Sequence, residues 1–247
     1  MIGYTLISNP KQKNKMAIDV NDVYKSVLVV LEQQKRGVIT PNEFNRIAAQ
    51  SQQEIYNQYF DDLNQLLGMP QTSLAYADRM ALLDEKISLF KKSQTVSISS
   101  TNDNYSVPYD LHELGSVIYD GKREVQRIQQ YEVYTTNASP LTAPTAQYPV
   151  YIYEGARLTL FPDTLDEDVT INYLKSPATP KWEFKIDQTL GSYMYDRFGS
   201  VNFEIHSSDK PLLIDKILGY AGVMTKDQFA MSLATNKEQQ INVNDQK

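Results

Sequence analysis

Gln94-Thr95-Val96-Ser97-Ile98-Ser99 is the stretch on which the reading of the fold turns. Apolar and polar residues alternate here with period two, the mark of a half-buried strand. Upstream the spacing is helical. Val20, Val23, Tyr24, Val27, Leu28 and Leu31 fall on one helix face that starts at Asp19 and stops at Gly37. Thr40-Pro41-Asn42-Glu43 then reads as a capping box, with threonine as N-cap, proline at the first helical position and glutamate at N3. Phe44, Ile47, Ala48, Ser51, Ile55 and Tyr59 continue at helical spacing, and Leu63, Leu66 and Leu67 lead to a stop at Gly68 and Pro70. A third helix is expected over Leu74 to Lys91, with Met80, Leu83, Ile87 and Phe90 inward.

Downstream the strand signals accumulate. Leu114 to Tyr119 and Arg123 to Ile128 flank Asp120-Gly121, a hairpin signature, although Glu124 to Tyr134 could equally continue as a helix. Residues 135–149 are rich in Thr, Ser, Ala and Pro and read as loop. Val150 to Tyr153 and Arg157 to Phe161 flank a turn at Glu154-Gly155, and Val169 to Leu174 alternates again. Helical signal returns near Asp209 and Pro211, runs through Leu212, Leu213, Ile214, Ile217, Leu218 and Ala221, and stops at Gly222. Thr225-Lys226-Asp227-Gln228 is a second capping box and opens a last helix. The fold class expected is α+β, with an N-terminal helical bundle and C-terminal helices around a β-strand insert. Its parts are an arm at 1–17, a helical region at 18–92, a β-rich region at 93–183, a helical region at 184–234 and a polar tail at 235–247. Both ends are too polar to fold alone, so at least one is expected to be ordered by a neighbouring chain.

The 247 residues carry 41% hydrophobic and 22% charged side chains, ordinary for a globular chain with a real core. There is no run of 18 apolar residues to span a membrane, and Lys11, Lys13 and Lys15 follow the mildly apolar start, so no signal peptide is expected. No cysteine is present, which excludes disulfides and thiolate metal sites. The two histidines, His112 and His206, are far apart in sequence and lack metal-ligand spacing. Nucleotide-binding glycine patterns, a GxSxG elbow, HExxH and an EF-hand loop are all missing. Asp163, Asp166, Glu167 and Asp168 form an acidic loop that could hold a divalent cation, although a solvated turn is the favoured reading. Asn137-Ala138-Ser139 matches a glycosylation sequon by chance. The formal charge of −6 and the scattered basic pairs Lys91-Lys92 and Lys122-Arg123 argue against a nucleic-acid grip. No residue is assigned a catalytic, cofactor-binding or metal role, and no cofactor is expected. Against this plainness stand 17 tyrosines beside one tryptophan, and tyrosine is favoured at protein interfaces.

Three stretches carry a resemblance. The first is Met16 to Phe60, above all Asp19-Val20-Asn21-Asp22-Val23-Tyr24 and Lys35-Arg36-Gly37-Val38-Ile39-Thr40-Pro41-Asn42-Glu43-Phe44-Asn45. The second is Ser139-Pro140-Leu141-Thr142-Ala143-Pro144-Thr145 with Tyr148-Pro149-Val150-Tyr151. The third is Tyr173-Leu174-Lys175-Ser176-Pro177-Ala178-Thr179-Pro180-Lys181-Trp182, followed by Lys216-Ile217-Leu218-Gly219-Tyr220-Ala221-Gly222. Together they resemble the virion structural proteins of podoviruses, most closely the ring or head–tail connector proteins (portal adaptors) of crAss-like phages of gut Bacteroidales. Residues 1–15 depart from the pattern and take no role from it. The resemblance implies a non-enzymatic subunit of a homo-oligomeric ring of twelve copies. Such a ring sits at the portal–tail junction of the virion, contacts portal and neighbouring tail proteins, and surrounds a channel through which DNA passes unbound during genome ejection. Other readings are a different tail structural protein, a binding module outside virions and, last, a metal-dependent hydrolase built on the acidic loop.

Overall fold

The computed structural model describes residues 17–33, 39–68, 74–98, 104–189 and 191–224. The chain divides into two compact units, one made of residues 1–89 and 177–247 and the other of residues 90–176. The expected α+β class holds, with helices towards both ends and strands between.

The first unit begins with three helices. α1 (Val20–Gln33) starts where Asp19 accepts hydrogen bonds from the amides of Asn21 at 2.8 Å and Asp22 at 3.4 Å. It buries Val20, Val23, Tyr24, Val27 and Leu31. Its expected stop at Gly37 lies outside the described residues. α2 (Pro41–Leu67) opens on the expected capping box: the Glu43 amide donates to Thr40 Oγ1, and the Thr40 amide donates to Glu43 Oε2 at 2.9 Å. Its buried stripe runs from Phe44 to Tyr59; Leu66 is half-buried and Leu67 exposed, so the last turns stand clear of the core. α3 (Leu74–Ser88) is shorter than the sequence suggests. Leu83 and Ile87 are buried as expected, but Met80 is only half-buried. Lys91 belongs to a strand, because a long neighbouring strand offers it a full ladder of partners.

That strand is β1 (Lys91–Val96), in the second unit; it starts earlier and ends earlier than the Thr95–Ser99 alternation indicates. Next come β2 (Tyr105–Ser106), β3 (Leu111–Tyr119), β4 (Arg123–Glu124), β5 (Gln126–Arg127), α4 (Gln130–Ala138), β6 (Val150–Glu154), β7 (Arg157–Phe161) and β8 (Val169–Lys175). Strand and helix readings of 124–134 are each right for part of it: two short strands precede α4. The strands make two four-stranded sheets, β1-β8-β3-β4 and β2-β7-β6-β5. Every second residue of β8 faces inward: Val169, Ile171 and Tyr173 join Val117, Tyr119, Tyr105, Leu158 and Leu160 in one cluster. Two hairpins have the positive φ pairs of tight primed turns: Asp120 (51°) with Gly121 (62°), and Gly155 (52°) with Ala156 (65°). The second turn sits one residue later than expected. On β3 the register shifts beside Gly115, where a Cβ would lie 2.8 Å from the Asn172 carbonyl oxygen, so only glycine lets the two backbones approach.

The chain returns to the first unit through Trp182, which is buried. Its amide donates to Asn45 Oδ1 at 2.7 Å, its indole donates to Asn21 Oδ1 at 3.2 Å, and its ring lies 4.4 Å from that of Tyr24. Gln52, also buried, works from α2: its Nε2 donates to the Ala178 carbonyl at 2.8 Å and its Oε1 accepts from the Glu204 amide at 3.0 Å. The expected helical region at 184–234 needs correcting in its first part. β9 (Phe184–Ile186) and β10 (Tyr193–Tyr195) form an antiparallel ribbon, because Phe184, Tyr193 and Tyr195 build an aromatic stack outward from Trp182. A short 3₁₀ turn (Ser207–Asp209) then leads into α5 (Lys210–Met224), which packs on α1 and α2 and runs on past Gly222. The helix expected from Thr225 and both polar ends lie outside the described residues.

Candidate functional site

The acidic loop between β7 and β8 is stitched down by its backbone. Tyr105 Oη donates to the Glu167 carbonyl at 2.7 Å, the Glu167 amide donates to Tyr119 Oη at 3.1 Å, and the Asp120 amide donates to the Asp168 carbonyl at 3.1 Å. Leu165 is the one loop side chain driven into the core, whereas Asp163, Asp166, Glu167 and Asp168 point their carboxylates into solvent. Burial, then the charges of neighbouring phenol and carboxylate groups, pushes the Tyr105 phenol up to about 12. Among the described residues no three acidic or imidazole side chains converge to hold a metal ion.

His112 lies exposed on β3. His206 caps the 3₁₀ turn: its Nδ1 accepts from the Ser208 amide at 3.3 Å, and its Nε2 lies 3.9 Å from Glu85 Oε1. Asn137 is exposed on α4. The basic pairs have local duties. Lys92 bonds Asp110 Oδ2 at 2.8 Å, Lys122 bonds Asp120 Oδ2 at 3.0 Å, and Arg123 donates to the Ala146 carbonyl at 2.6 Å.

Two polar clusters were not foreseen. In the first unit, Asp209 is buried and accepts hydrogen bonds from Tyr59 Oη and from Lys86 Nζ at 2.9 Å. Burial and the adjacent carboxylate push the Tyr59 phenol far above its usual range. The cluster ties α2, α3 and the 3₁₀ turn before α5 together; each donor ends on Asp209. In the second unit, Asp110 joins Lys92 of β1 to Tyr173 of β8, whose hydroxyl donates to Asp110 Oδ1 at 2.8 Å. The hydrogen bond from Lys92 holds the Asp110 carboxyl below its usual range.

The most informative chemistry lies on the outside. β5 and β6 pair in parallel, so the chain must cross over between them, and α4 lies in that crossover. None of the nine residues of α4 is buried. Tyr131 is 76% exposed, Tyr134 84%, Leu141 96% and Tyr148 78%. Residues 128–149 hold one charged side chain, Glu132, and it is engaged in capping α4 through the Gln129 amide at 3.0 Å. The signal was in the sequence as a tyrosine-bearing stretch depleted of charge, although the loop reading passed over it. In the first unit the loop after β10 is tied by Asp196, which bonds Lys185 at 2.8 Å and accepts from the Phe198 amide at 3.1 Å. Phe198 is nevertheless 99% exposed.

No family model matches the chain, and no curated protein matches it in sequence. Among the described residues no helix is long and apolar enough to cross a membrane.

Proposed function

We propose that the chain is a structural subunit of a tailed-phage particle: a ring-forming head–tail connector between portal and tail, twelve copies to the ring, with DNA passing through the channel unbound. The observation that carries this reading is the exposed apolar surface on well-anchored supports. An uncharged crossover bearing tyrosines, and a phenylalanine fixed in solvent by a hydrogen-bonded loop, have the composition of interface cores and not of solvated surface. The polar clusters support it too, because their side chains satisfy one another inside a unit, as structural ties do. The resemblance of Met16 to Phe60 and of Tyr173 to Trp182 to connector proteins supplies the particular assembly.

The test is to purify virions, count this chain against the portal protein by quantitative mass spectrometry, and place it by electron cryomicroscopy. The expected result is one copy per portal subunit, at the portal–tail junction. Absence from the particle would overturn the reading, and a position elsewhere in the tail would leave only the coarser one.

A further inference from the structure

We infer that the α4 crossover and the Phe198 loop are the two unlike halves of one head-to-tail contact, so that the crossover of one copy is covered by the Phe198 ribbon of the next. This rests on the ring reading and names the faces it would use.

The crossover comes first. A helix of nine residues is too short to hold by propensity in water and normally relies on burying an apolar face, yet no residue of α4 is fully buried and only Val133 among its apolar side chains is half-buried. Its tyrosines, with Leu141 and Tyr148, offer roughly 500 Å² of largely apolar area if each aromatic ring contributes its usual share. That is more than half of the about 800 Å² each partner gives to a standard interface. The near absence of charge selects the class of partner. Phosphate backbones and anionic lipid need basic side chains, and residues 128–149 have none. A protein surface of similar apolar character is what remains.

The chain itself carries such a surface. Phe198 stands out from the loop after β10, and Met194 (52% exposed) from the ribbon face that carries Lys185; Ile186 lies on the opposite face beside Tyr193. Around them the Lys185–Asp196 ion pair neutralises two of the nearby charges, and Ser200 Oγ donates to the Asp196 carbonyl at 2.6 Å while accepting from the Glu183 amide at 2.9 Å. A rigid loop loses little freedom when its side chain is covered, so Phe198 is pre-organised as an anchor. Two different apolar surfaces on one chain are what a heterologous contact requires, and a heterologous contact that closes makes a ring. Two copies of a single patch would give only a dimer.

The experiment uses the full chain in three forms: wild type, the double variant Tyr131→Ser/Tyr134→Ser, and Phe198→Ser. All changes are at exposed positions, and circular dichroism checks that each variant is folded. Sedimentation velocity is run across a concentration series up to the solubility limit. The wild type is expected to associate with rising concentration, and each variant alone to remain monomeric. An equimolar mixture of the two variants is expected to form a one-to-one dimer and nothing larger, since each supplies the half the other lacks and the chain then stops. If the wild type associates and either variant does so undiminished, the assigned faces are wrong while the ring reading stands. A mixture that gives no dimer, or gives full-size rings, overturns the head-to-tail pairing. A wild type that stays monomeric throughout overturns the pairing and removes the self-assembly on which the ring reading depends.

Discussion

Ala156 holds φ at 65° in the turn between β6 and β7, where a Cβ crowds the following carbonyl at about 1–2 kcal/mol. Gly155, beside it, incurs no such cost. Ala156→Gly is therefore expected to stabilise the second unit by about 1 kcal/mol, net of the extra freedom glycine gains when unfolded; a urea titration showing no gain, or a loss, would contradict the turn geometry. At this scale the sequence was partly transparent. The Glu154-Gly155 signal located the turn to within one residue, and the dispersed acids of 163–168 read as a solvated loop, as they are. The Asp209 cluster was opaque for a simple reason: its donors, Tyr59 and Lys86, lie 150 and 123 residues away, and no local pattern links them.

Helix starts were the most legible elements, because a cap is written within four residues. Thr40→Ala removes the side-chain acceptor for the first turn of α2 and is expected to cost about 1 kcal/mol in thermal or chemical unfolding, with assembly unchanged in a folded sample. Short strands were least legible. β4, β5, β9 and β10 have two or three residues each and owe their existence to partners rather than to any period of their own. The β9–β10 ribbon was missed because the stack on Trp182 organises it, a tertiary contact that overrides a weak local signal. The tie between β1 and β8 has a pH signature. The Asp110 carboxyl is held below its usual range by Lys92, so the tie contributes stability above that usual range and loses it as pH falls through the lowered value. Lys92, raised to about 12 by the same partner and by Tyr173, contributes below its usual value and loses its share as pH rises through about 12. Urea midpoints across acid pH should therefore fall more steeply in the wild type than in Asp110→Asn; parallel curves would show that the tie does not couple to folding.

For the whole molecule, charge decides how a channel would treat DNA. In the proposed ring, twelve copies at −6 each would carry −72 in all, before partners and counterions. Lys92 and Lys122, one from each basic pair, are already neutralised within the chain by Asp110 and Asp120. Screening confines what remains to about 8–10 Å at physiological salt, so the wall matters only where it lies close to the duplex. The isolated chain is accordingly expected to show no retention of duplex DNA even at low salt. Tight binding that weakens steeply as salt is added would show that the protein grips DNA, and the passive-conduit part of the proposed function would fail.

In sequence, the second unit, residues 90–176, interrupts the first. On the ribosome this imposes an order of events. Phe44, Ile47, Ile55 and Tyr56 emerge early, yet their unit also needs Trp182, Phe203, Ile205 and Leu213, which are still unmade. At about 5–20 residues per second the interval between Leu89 and Ile205 lasts roughly 6–23 s. Throughout it the second unit can finish its own core, while the three helices wait for the partners that complete theirs. A chain truncated after Ser176 and released from the ribosome should yield a protease-resistant fragment spanning 90–176 and a readily cleaved 1–89. Any holdase that shepherds this chain would thus meet it at its amino-terminal helices, and would be released when α5 arrives.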